Sequence, residues 1–373
     1  MNIYKEKIDR YLDKKNNEKY VEYLKQKFKN YKYVCSFGMG AIGKSTVNEL
    51  QHQNIKIDFL CDNDVNKVGS NFNSIECISF DKLLEIKDET IVLISTAMHD
   101  SDIYDQLIQN DIKNIERVYI NKFEIDNYFE RVGKNYISNK LYELIDILDD
   151  DESKNIICKI VKGWSSNEIM YGEFNDIYSQ NQYFLDDLVN LSDDEVFLDA
   201  GAYTGDTLLE FLKNTNHKFK NAYLFELNEK VYIDLKKNIN KLDNNIREKI
   251  ITYNTGTSNK KGVVNYCDEE SASLITDIGE CVGKVDSIDN MLNENKVSFI
   301  KMDIEGAEID AIIGAEKTIK RHKPKLAICV YHSASDLWEI PLMLKDMLPE
   351  HKIYIRHHTN MLIETVCYAI PKI

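Results

Sequence analysis

Short apolar runs alternate with amphipathic stretches along most of the chain, and this alternation predicts two separate α/β units. Between residues 33 and 120, four apolar runs are separated by stretches of helical periodicity, which is typical of a small parallel sheet with helices on its faces. The alternation restarts at residue 195 with five further apolar runs. After these, KIYIRHH and TVCYAIP predict a terminal antiparallel pair. The predicted fold class is therefore α/β, with two doubly wound domains.

The same pattern divides the chain into three predicted segments. Residues 1–122 begin with a helical stretch and continue into the first domain, and residues 191–373 form the second, larger domain. Residues 123–190 are polar, aromatic and helical by pattern, so we expect a helical connector. Within it, QNQYFLDDLVNL is expected to be helical, and Tyr183 and Phe184 are expected either to cover a ligand or to pack in a core.

Charge and cysteine content narrow the classes of function. The formal net charge of −15 opposes binding to nucleic acid, which needs clustered Lys and Arg, and also disfavours anionic lipid. None of the eight cysteines forms C-x-x-C, so we expect neither a disulfide framework nor a zinc site. The N-terminal stretch has no signal-like apolar core and no apolar run could span a membrane, so we expect a cytoplasmic protein. The oligomeric state is not predictable from these patterns.

The stretch FGMGAIGKST, which follows the first predicted strand, fits two motifs. Gly38, Gly40 and Gly43 give the G-x-G-x-x-G of Rossmann-like dinucleotide domains, whereas G-x-x-x-x-G-K-S is the phosphate loop of NTPases. An NTPase also needs an acid at the end of a strand, and the run IVLIST ends without one. Asp62 lies 24 residues after Gly38, near the distance that the dinucleotide motif requires. We therefore favour a Rossmann-like nucleotide site at Gly38, Gly40, Gly43 and Asp62, with a ligand-free scaffold or dimerisation domain as an equal alternative.

A second glycine turn, in VFLDAGAYTGDT, opens the second domain. Its glycines would let the backbone approach a ligand, and the N-terminus of the following helix would offer N–H groups to a carboxylate. Glu226 ends the next strand, where an acid can accept hydrogen bonds from both hydroxyls of a ribose. All these positions lie at the carboxyl ends of strands, where ligands of such sheets bind. The candidate cofactor-binding residues are Asp199, Gly201, Ala202, Tyr203, Gly205, Asp206, Thr207, Glu226, Asn254, Thr255 and Asp303.

Several motifs of this half resemble those of one enzyme family. The pattern D-x-G-x-x-x-G followed by the acid of LFEL resembles class I S-adenosylmethionine-dependent methyltransferases, and FIKMDIEGAEIDAI resembles the K-x-D-[VI]-E-G-x-E signature of the FkbM family. NQYF, VDSIDN and RHHTN…TVCYAIP match in the same order, so the resemblance covers about residues 180–371. It implies a class I methyltransferase fold for the second domain, S-adenosylmethionine as cofactor, and O-methylation of a hydroxyl on a sugar, glycan or sugar-containing metabolite.

The first domain carries a weaker resemblance. The run CDNDVNKVG…CISFDKLL is similar to small Rossmann-like domains of sugar-modifying enzymes, which implies a nucleotide or nucleotide-sugar at its glycine turn. Two other functions are considered. A nucleotide-sugar oxidoreductase or epimerase would be expected to carry a Tyr-x-x-x-Lys pair after that domain's fourth strand, and none is found. A non-catalytic scaffold for glycan assembly would be expected to have lost the cofactor residues, yet they are present.

Methyl transfer to a hydroxyl requires a base or a metal near the acceptor oxygen. Asp303 and Glu305 follow the fourth strand of the second domain, and His332 follows the fifth. We expect Asp303 or His332 to be the base, with Glu305 and Glu308 orienting the acceptor; for Glu308, an exposed helix acid is the simpler interpretation. Asp303, Glu305 and His332 are also candidates for binding Mg²⁺, although their spacing matches no recognised ligand motif.

Overall fold

The chain forms two units and passes through each of them more than once. The computed structural model describes residues 2–14, 19–96, 99–169, 172–269, 272–275, 279 and 281–372. The larger unit comprises residues 1–9, 135–160 and 174–373, and the smaller unit comprises residues 10–134 and 161–173. Residues 123–190, predicted as a helical connector, are thus divided between the two units. The predicted domain boundaries themselves stay predictions.

The smaller unit is built on a six-stranded, mostly parallel sheet. Its elements in chain order are α1 (Ile3–Asp13, whose first residues belong to the larger unit), α2 (Tyr20–Phe28), β1 (Tyr33–Phe37), α3 (Ala41–His52), β2 (Phe59–Cys61), β3 (Asn71–Phe72), β4 (Ile75–Ile78), α4 (Phe80–Ile86), a 3₁₀ turn (Lys87–Glu89), β5 (Thr90–Ile94), α5 (Asp100–Gln109), β6 (Ile115–Arg117) and α6 (Asn121–Val132). The strand order is β3-β4-β2-β1-β5-β6. The four predicted strands are β1, β2, β5 and β6, and they pair in parallel as expected. The short antiparallel hairpin of β3 and β4 was not predicted.

The larger unit contains a seven-stranded sheet and a separate four-stranded sheet. Its elements are α7 (Lys134–Ile147), α8 (Asp151–Ser165, whose last residues belong to the smaller unit), a 3₁₀ turn (Asn175–Ile177), β7 (Val196–Ala200), α9 (Asp206–Asn214), β8 (Asn221–Phe225), α10 (Glu229–Ile239), α11 (Asn244–Arg247), β9 (Ile250–Tyr253), β10 (Gly256–Thr257), β11 (Gly262–Glu269), β12 (Ala272–Ile275), β13 (Cys281–Asp286), α12 (Ile288–Leu292), β14 (Phe299–Met302), α13 (Glu308–Gly314), α14 (Glu316–His322), β15 (Lys325–Cys329), α15 (Asp336–Met347), β16 (His351–His357) and β17 (Thr365–Pro371). No helix in the described part of the chain is long and apolar enough to cross a membrane.

The seven-stranded sheet has the order β16-β17-β15-β14-β7-β8-β9. All of its neighbouring strands are parallel except β17, which is antiparallel to both β15 and β16, so the predicted terminal antiparallel pair is confirmed. The order reverses between β7 and β14, and a ligand is expected at such a switch point. The four-stranded sheet, in the order β10-β13-β11-β12, lies between β9 and β14 in the sequence and was not predicted.

The central strands are buried on both faces, which explains why they are apolar apart from Asp199 and Lys301. Every residue of β7 and β14 is buried. Phe197 of β7 stacks on Phe211 of α9 with ring centroids 4.5 Å apart, and Phe299 of β14 contacts the same cluster. These contacts hold the start of α9 against the sheet and so position the turn before it.

The prediction of a helix over QNQYFLDDLVNL is wrong. Residues 181–189 form successive turns, in which Asn181 and Tyr183 have φ angles of 59° and 70°. A right-handed helix excludes such angles. Phe184 is instead inserted between Phe197 and Phe299 of the core. The apolar residues of this stretch are buried as expected, but they are buried by turns.

Candidate active site

The glycine turn between β7 and α9 fits tightly against the end of β14. Gly201 and Gly205 have φ angles of 81° and 93°, which side chains rarely adopt. A Cβ atom on Gly201 would lie 1.9 Å from the carbonyl oxygen of Asp303. Glycine is therefore required at residue 201, and the turn is in direct contact with the backbone of the predicted catalytic acid.

Glu226 follows β8 and ties the glycine turn to the neighbouring strand end. Its carboxylate accepts hydrogen bonds from the backbone N–H groups of Tyr203 (3.0 Å) and Asn228 (2.8 Å). The side chain is largely buried, and burial raises the pKa of Glu226 to about 7 although these hydrogen bonds lower it. Each carboxylate oxygen can accept a further hydrogen bond, as a ribose would require.

The remaining predicted cofactor-binding positions lie at the same edge of the sheet. The backbone N–H groups of Gly201 and Ala202 both donate to the carbonyl oxygen of Phe225. The Asn254 side chain donates to the carbonyl oxygens of Glu226 (3.0 Å) and Leu227 (3.3 Å), so it shapes the loop after β8. Thr255 follows Asn254 in the turn after β9, and Asp206 and Thr207 form the first turn of α9.

A buried ion pair, which the sequence analysis did not identify as part of the site, lies beneath the turn. Lys301 of β14 stands directly opposite Asp199 of β7, and its Nζ lies 3.1 Å from the Asp199 carboxylate. The same Nζ donates to the carbonyl oxygen of Gly201 at 2.8 Å. Burial raises the pKa of Asp199 to about 6 although Lys301 lowers it. Among the described residues, no hydrogen bond of good geometry reaches either oxygen of that carboxylate. A lysine within the apolar run FIKM was the signal for this pair.

Three acids and a histidine gather at the ends of β14 and β15, and we call Asp303, Glu305, Glu308 and His332 the acid–imidazole cluster. His332 Nε2 lies 3.4 Å from carboxylate oxygens of both Asp303 and Glu305. His332 Nδ1 lies 3.1 Å from Glu308. The three predicted catalytic residues are therefore brought together, and Glu308 joins them.

The expectation that Glu308 is an exposed helix acid is wrong. Its side chain is 1 % exposed, and its two carboxylate oxygens accept hydrogen bonds from the backbone N–H groups of Ile304 (2.8 Å) and Gly306 (3.0 Å). Glu305 and Gly306 have φ angles of 56° and 93°, so the chain turns sharply between β14 and α13. Glu308 holds this turn closed, which explains why an acid is buried at the start of α13.

Electrostatic coupling within the cluster is strong. Burial would lower the pKa of His332, but Glu308, Asp303 and Glu305 raise it to about 10. Burial would raise the pKa of Asp303, but Lys301 and His332 hold it below its ordinary value. For Glu305 burial prevails and raises the pKa to about 7. The two groups thus stabilise each other's charged forms.

Two tyrosines and a further acid lie around Asp303, and of these only Tyr183 was considered for the site from the sequence. The hydroxyl of Tyr183 donates to Asp303 Oδ2 at 2.9 Å, and that of Tyr331 lies 3.3 Å from Oδ1. The Tyr331 hydroxyl also lies 3.1 Å from Glu364, which in turn accepts from Gln182 at 2.7 Å. Within the motif NQYF, Phe184 therefore packs in the core, while Tyr183 contacts Asp303 in the site. Glu364, which directly precedes β17, was not identified from the sequence.

The glycine turn of the smaller unit is built like that of the larger one. Gly38 has a φ of 112°, and a Cβ on Gly43 would lie 1.8 Å from the carbonyl oxygen of Gly38, whereas a Cβ on Gly40 would meet nothing. The carboxylate of Asp62 accepts from the backbone N–H groups of Met39 (2.7 Å) and Asp64 (2.9 Å). Glu226 makes the same two kinds of contact: it accepts from Tyr203 in its glycine turn and from Asn228, two residues further along the chain. The four predicted residues, Gly38, Gly40, Gly43 and Asp62, therefore lie together.

Comparison with known proteins identifies the larger unit. Residues 199–359, less than half of the chain, match the sequence model of the methyltransferase FkbM domain. This part of the chain is a methyltransferase domain of the FkbM type. The matched range includes the glycine turn, Glu226 and the whole acid–imidazole cluster, which confirms the resemblance seen in the sequence. No curated protein matches the chain.

A solved structure shows the same fold over almost the whole chain. The methyltransferase FkbM of Methylobacillus flagellatus is 19% identical over 98% of this chain and 99% of its own, with a TM-score of 0.73. Two further matches are partial. An rRNA methylase of Streptococcus thermophilus is 14% identical over 49% of this chain and 89% of its own, with a TM-score of 0.32. A Streptococcus mutans methyltransferase in complex with SAH is 14% identical over 50% of this chain and 93% of its own, with a TM-score of 0.31. The last two scores are too low to bear on the fold.

Replacing Lys301 by methionine should destabilise this FkbM methyltransferase domain by about 3–5 kcal/mol, because the change leaves Asp199 as a buried, unpaired carboxylate. Urea denaturation followed by circular dichroism measures the loss. Lys213→Met, at a lysine whose side chain is 78% exposed, is the matched control and should change stability by less than about 0.5 kcal/mol. The double variant Asp199→Asn/Lys301→Met should recover much of the loss. If the double variant lost as much stability as Lys301→Met, the broken ion pair would not be the source of the loss.

Proposed function

We propose that this FkbM methyltransferase uses S-adenosylmethionine to methylate a hydroxyl oxygen of a sugar, glycan or sugar-containing metabolite. The observation that carries the proposal is the contact between Gly201 and the backbone of Asp303. It brings a glycine turn suited to the cofactor next to a cluster of acids suited to a hydroxyl. Methyl transfer requires these two reactants to be adjacent and aligned.

The residues at the glycine turn fit the cofactor. Asp199 is paired with Lys301, but no hydrogen bond of good geometry reaches its carboxylate among the described residues, so its lone pairs can accept from a further donor such as an ammonium group. Glu226 has lone pairs left for the two ribose hydroxyls. The turn after β9, with Asn254 and Thr255, lies where an adenine ring would extend along the strand ends.

The acid–imidazole cluster fits an acceptor rich in hydroxyl groups. Carboxylates are hydrogen-bond acceptors, and hydroxyls of a sugar are the donors they need. The net charge of −15 disfavours a nucleic acid as acceptor. These features support a sugar-like acceptor, and they leave its identity to an acceptor screen.

Glu305 is the proposed base, in place of Asp303 or His332, which were expected in that role from the sequence. Two tyrosine hydroxyls contact Asp303, and Glu308 is held by two backbone N–H groups, whereas the described contacts of the Glu305 carboxylate are to His332 alone. Glu305 is also the most exposed of the four side chains, at 31%. When bound, the cofactor supplies a methyl group whose bond to sulfur breaks, with its electron pair retained by sulfur, as the bond to the acceptor oxygen forms. Glu305 takes the proton of that hydroxyl.

Cofactor binding should depend on Glu226. Calorimetric titration with S-adenosylhomocysteine should show micromolar affinity for the wild type and at least tenfold weaker binding for Glu226→Ala, about 1.4 kcal/mol. Glu229→Gln, at an exposed acid nearby, is the control and should bind normally. Wild-type protein that shows no binding heat would exclude the cofactor.

The same titration has an expected pH dependence. The pKa of Glu226 is raised to about 7, and Lys301 and Asp199 are its charged neighbours. Since the ribose hydroxyls need the carboxylate form, affinity should fall as pH decreases through 7, by about tenfold between pH 8 and pH 6. Affinity that is constant over this range would show that binding does not require ionised Glu226.

Glu305→Gln should lower the rate of methyl transfer by at least about 100-fold, because the amide cannot accept the proton. S-adenosylhomocysteine affinity should stay within twofold of the wild type, since the residue is assigned to the acceptor side. Glu316→Gln, at a half-exposed acid of α14, is the matched control for activity. A Glu305→Gln enzyme with an unchanged rate constant for the chemical step, measured in single turnovers, would exclude Glu305 as the base.

We also propose that the smaller unit binds a nucleotide or nucleotide-sugar at Gly38, Gly40, Gly43 and Asp62. The parallel between the contacts of Asp62 and those of Glu226 supports this second site. Calorimetry with UDP-sugars and NAD should give heat that is lost in Asp62→Ala and kept in the exposed-site control Asp81→Asn. The absence of heat with every ligand would leave the turn as a scaffold and refute the proposal.

A further inference from the structure

The environment of His332 is unusual for a histidine that has only a structural role. Its side chain is 9% exposed, and it faces the carboxylates of Asp303, Glu305 and Glu308. Among the described residues, neither ring nitrogen makes a hydrogen bond of good geometry. Buried polar groups normally find such partners, so a buried imidazole aimed into an acidic cluster requires an explanation.

Coordination of a metal ion would explain the position of His332. Asp303, Glu308 and His332 each offer one ligand atom, and these three atoms lie within 4.8 Å of one another. Ligands bound about 2.1 Å from a cation in neighbouring octahedral positions are about 3 Å apart. One ring nitrogen of an imidazole faces a given ion, and the 3.1 Å between Nδ1 and Glu308 is close to that spacing. Asp303, which lies 3.4 Å from Nε2, completes the set of three ligand atoms within 4.8 Å of one another.

The charge balance of the cluster also favours a bound cation. Three carboxylates surround one imidazole, and the nearby Lys301 is already paired with Asp199. Glu364, linked to Asp303 through Tyr331, adds another acid. Burying an excess of negative charge is costly unless a cation compensates for it. A divalent ion would supply the missing charge, and an imidazolium alone would supply half as much.

We propose that Asp303, Glu308 and His332 bind a divalent cation, with Glu305 on its exposed side. Two carboxylates suit Mn²⁺ and Mg²⁺, and the imidazole ligand favours the transition metal, so Mn²⁺ fits this set best. Relative to the set Asp303, Glu305 and His332 considered from the sequence, the geometry brings in Glu308 as a ligand. The role of the ion rests on the proposed function: it would hold the acceptor oxygen and lower the pKa of the hydroxyl, from which Glu305 removes the proton. The existence of the site does not depend on that function.

The test is a titration of the metal-free protein with Mn²⁺, followed by electron paramagnetic resonance, since the signal of free Mn²⁺ is lost on binding. We expect the wild type to bind a single Mn²⁺ per chain, and Mg²⁺ to displace it. Asp303→Asn and His332→Gln should each weaken binding at least about tenfold. Asp310→Asn, at an exposed acid of α13, is the matched control and should bind like the wild type. Circular dichroism verifies that each variant is folded.

The possible outcomes are distinct. Tight binding that is lost in both variants and kept in the control supports the site. No binding by the wild type, or binding that both folded variants retain, overturns it. If one variant fails to fold, the other gives the decision, because each removes a different ligand. Neither cofactor nor acceptor is present, so this result is independent of the S-adenosylhomocysteine and methyl-transfer measurements that test the proposed function.

Discussion

The buried ion pair of Lys301 and Asp199 fixes the two strands from which the site is built. β7 leads into the glycine turn, and β14 leads into Asp303 and the acid–imidazole cluster. Lys301 bonds to the carbonyl oxygen of Gly201 as well as to Asp199, so one ammonium group holds both the strand and the turn. Burying such a pair is costly, and hydrophobic residues would stabilise the sheet at least as well. Its contribution is therefore one of position, because it keeps the turn and the cluster in register.

Charge is the second constraint. The carboxylates of Asp199, Glu226, Asp303 and Glu308, three of them buried, outnumber the cations Lys301 and His332. A site of this kind favours ligands that carry positive charge. On the proposed function, the sulfonium cofactor is cationic and its thioether product has lost that charge. The same field that draws in the cofactor would then hold the product less tightly, so substrate binding and product release would both benefit.

Much of this arrangement was accessible from the sequence because strand ends are marked by local patterns. The apolar runs located β7, β8, β14 and β15, and parallel pairing then required Asp199, Glu226, Asp303 and His332 to share one edge. Contacts that depend on tertiary packing were not accessible. The burial of Glu308 depends on a turn with two left-handed residues, and the helix expected around Tyr183 is replaced by turns because Phe184 is inserted into the core.

The four-stranded sheet was missed for a related reason. Its strands β10 and β12 are two and four residues long, too short to show a periodicity, and the alternation in β11 is surrounded by polar residues. The fold class, and the edge of the sheet at which the site lies, were thus predictable from local signals. The ion pair and the tyrosine contacts were not, since each joins residues far apart along the chain, and the burial of Glu308 was not, since it depends on the left-handed turn at Glu305 and Gly306.

The two tyrosine hydroxyls that contact Asp303 come from segments before and after it in the chain. Tyr183 precedes β7, and Tyr331 links Asp303 to Glu364, which precedes β17. Both Tyr183 and Glu364 lie outside the range 199–359 that matches the family domain. A nascent chain would therefore hold an incomplete site until β17 had been synthesised and inserted between β15 and β16. The order of synthesis on the ribosome thus sets a natural limit on how early this domain can engage a ligand.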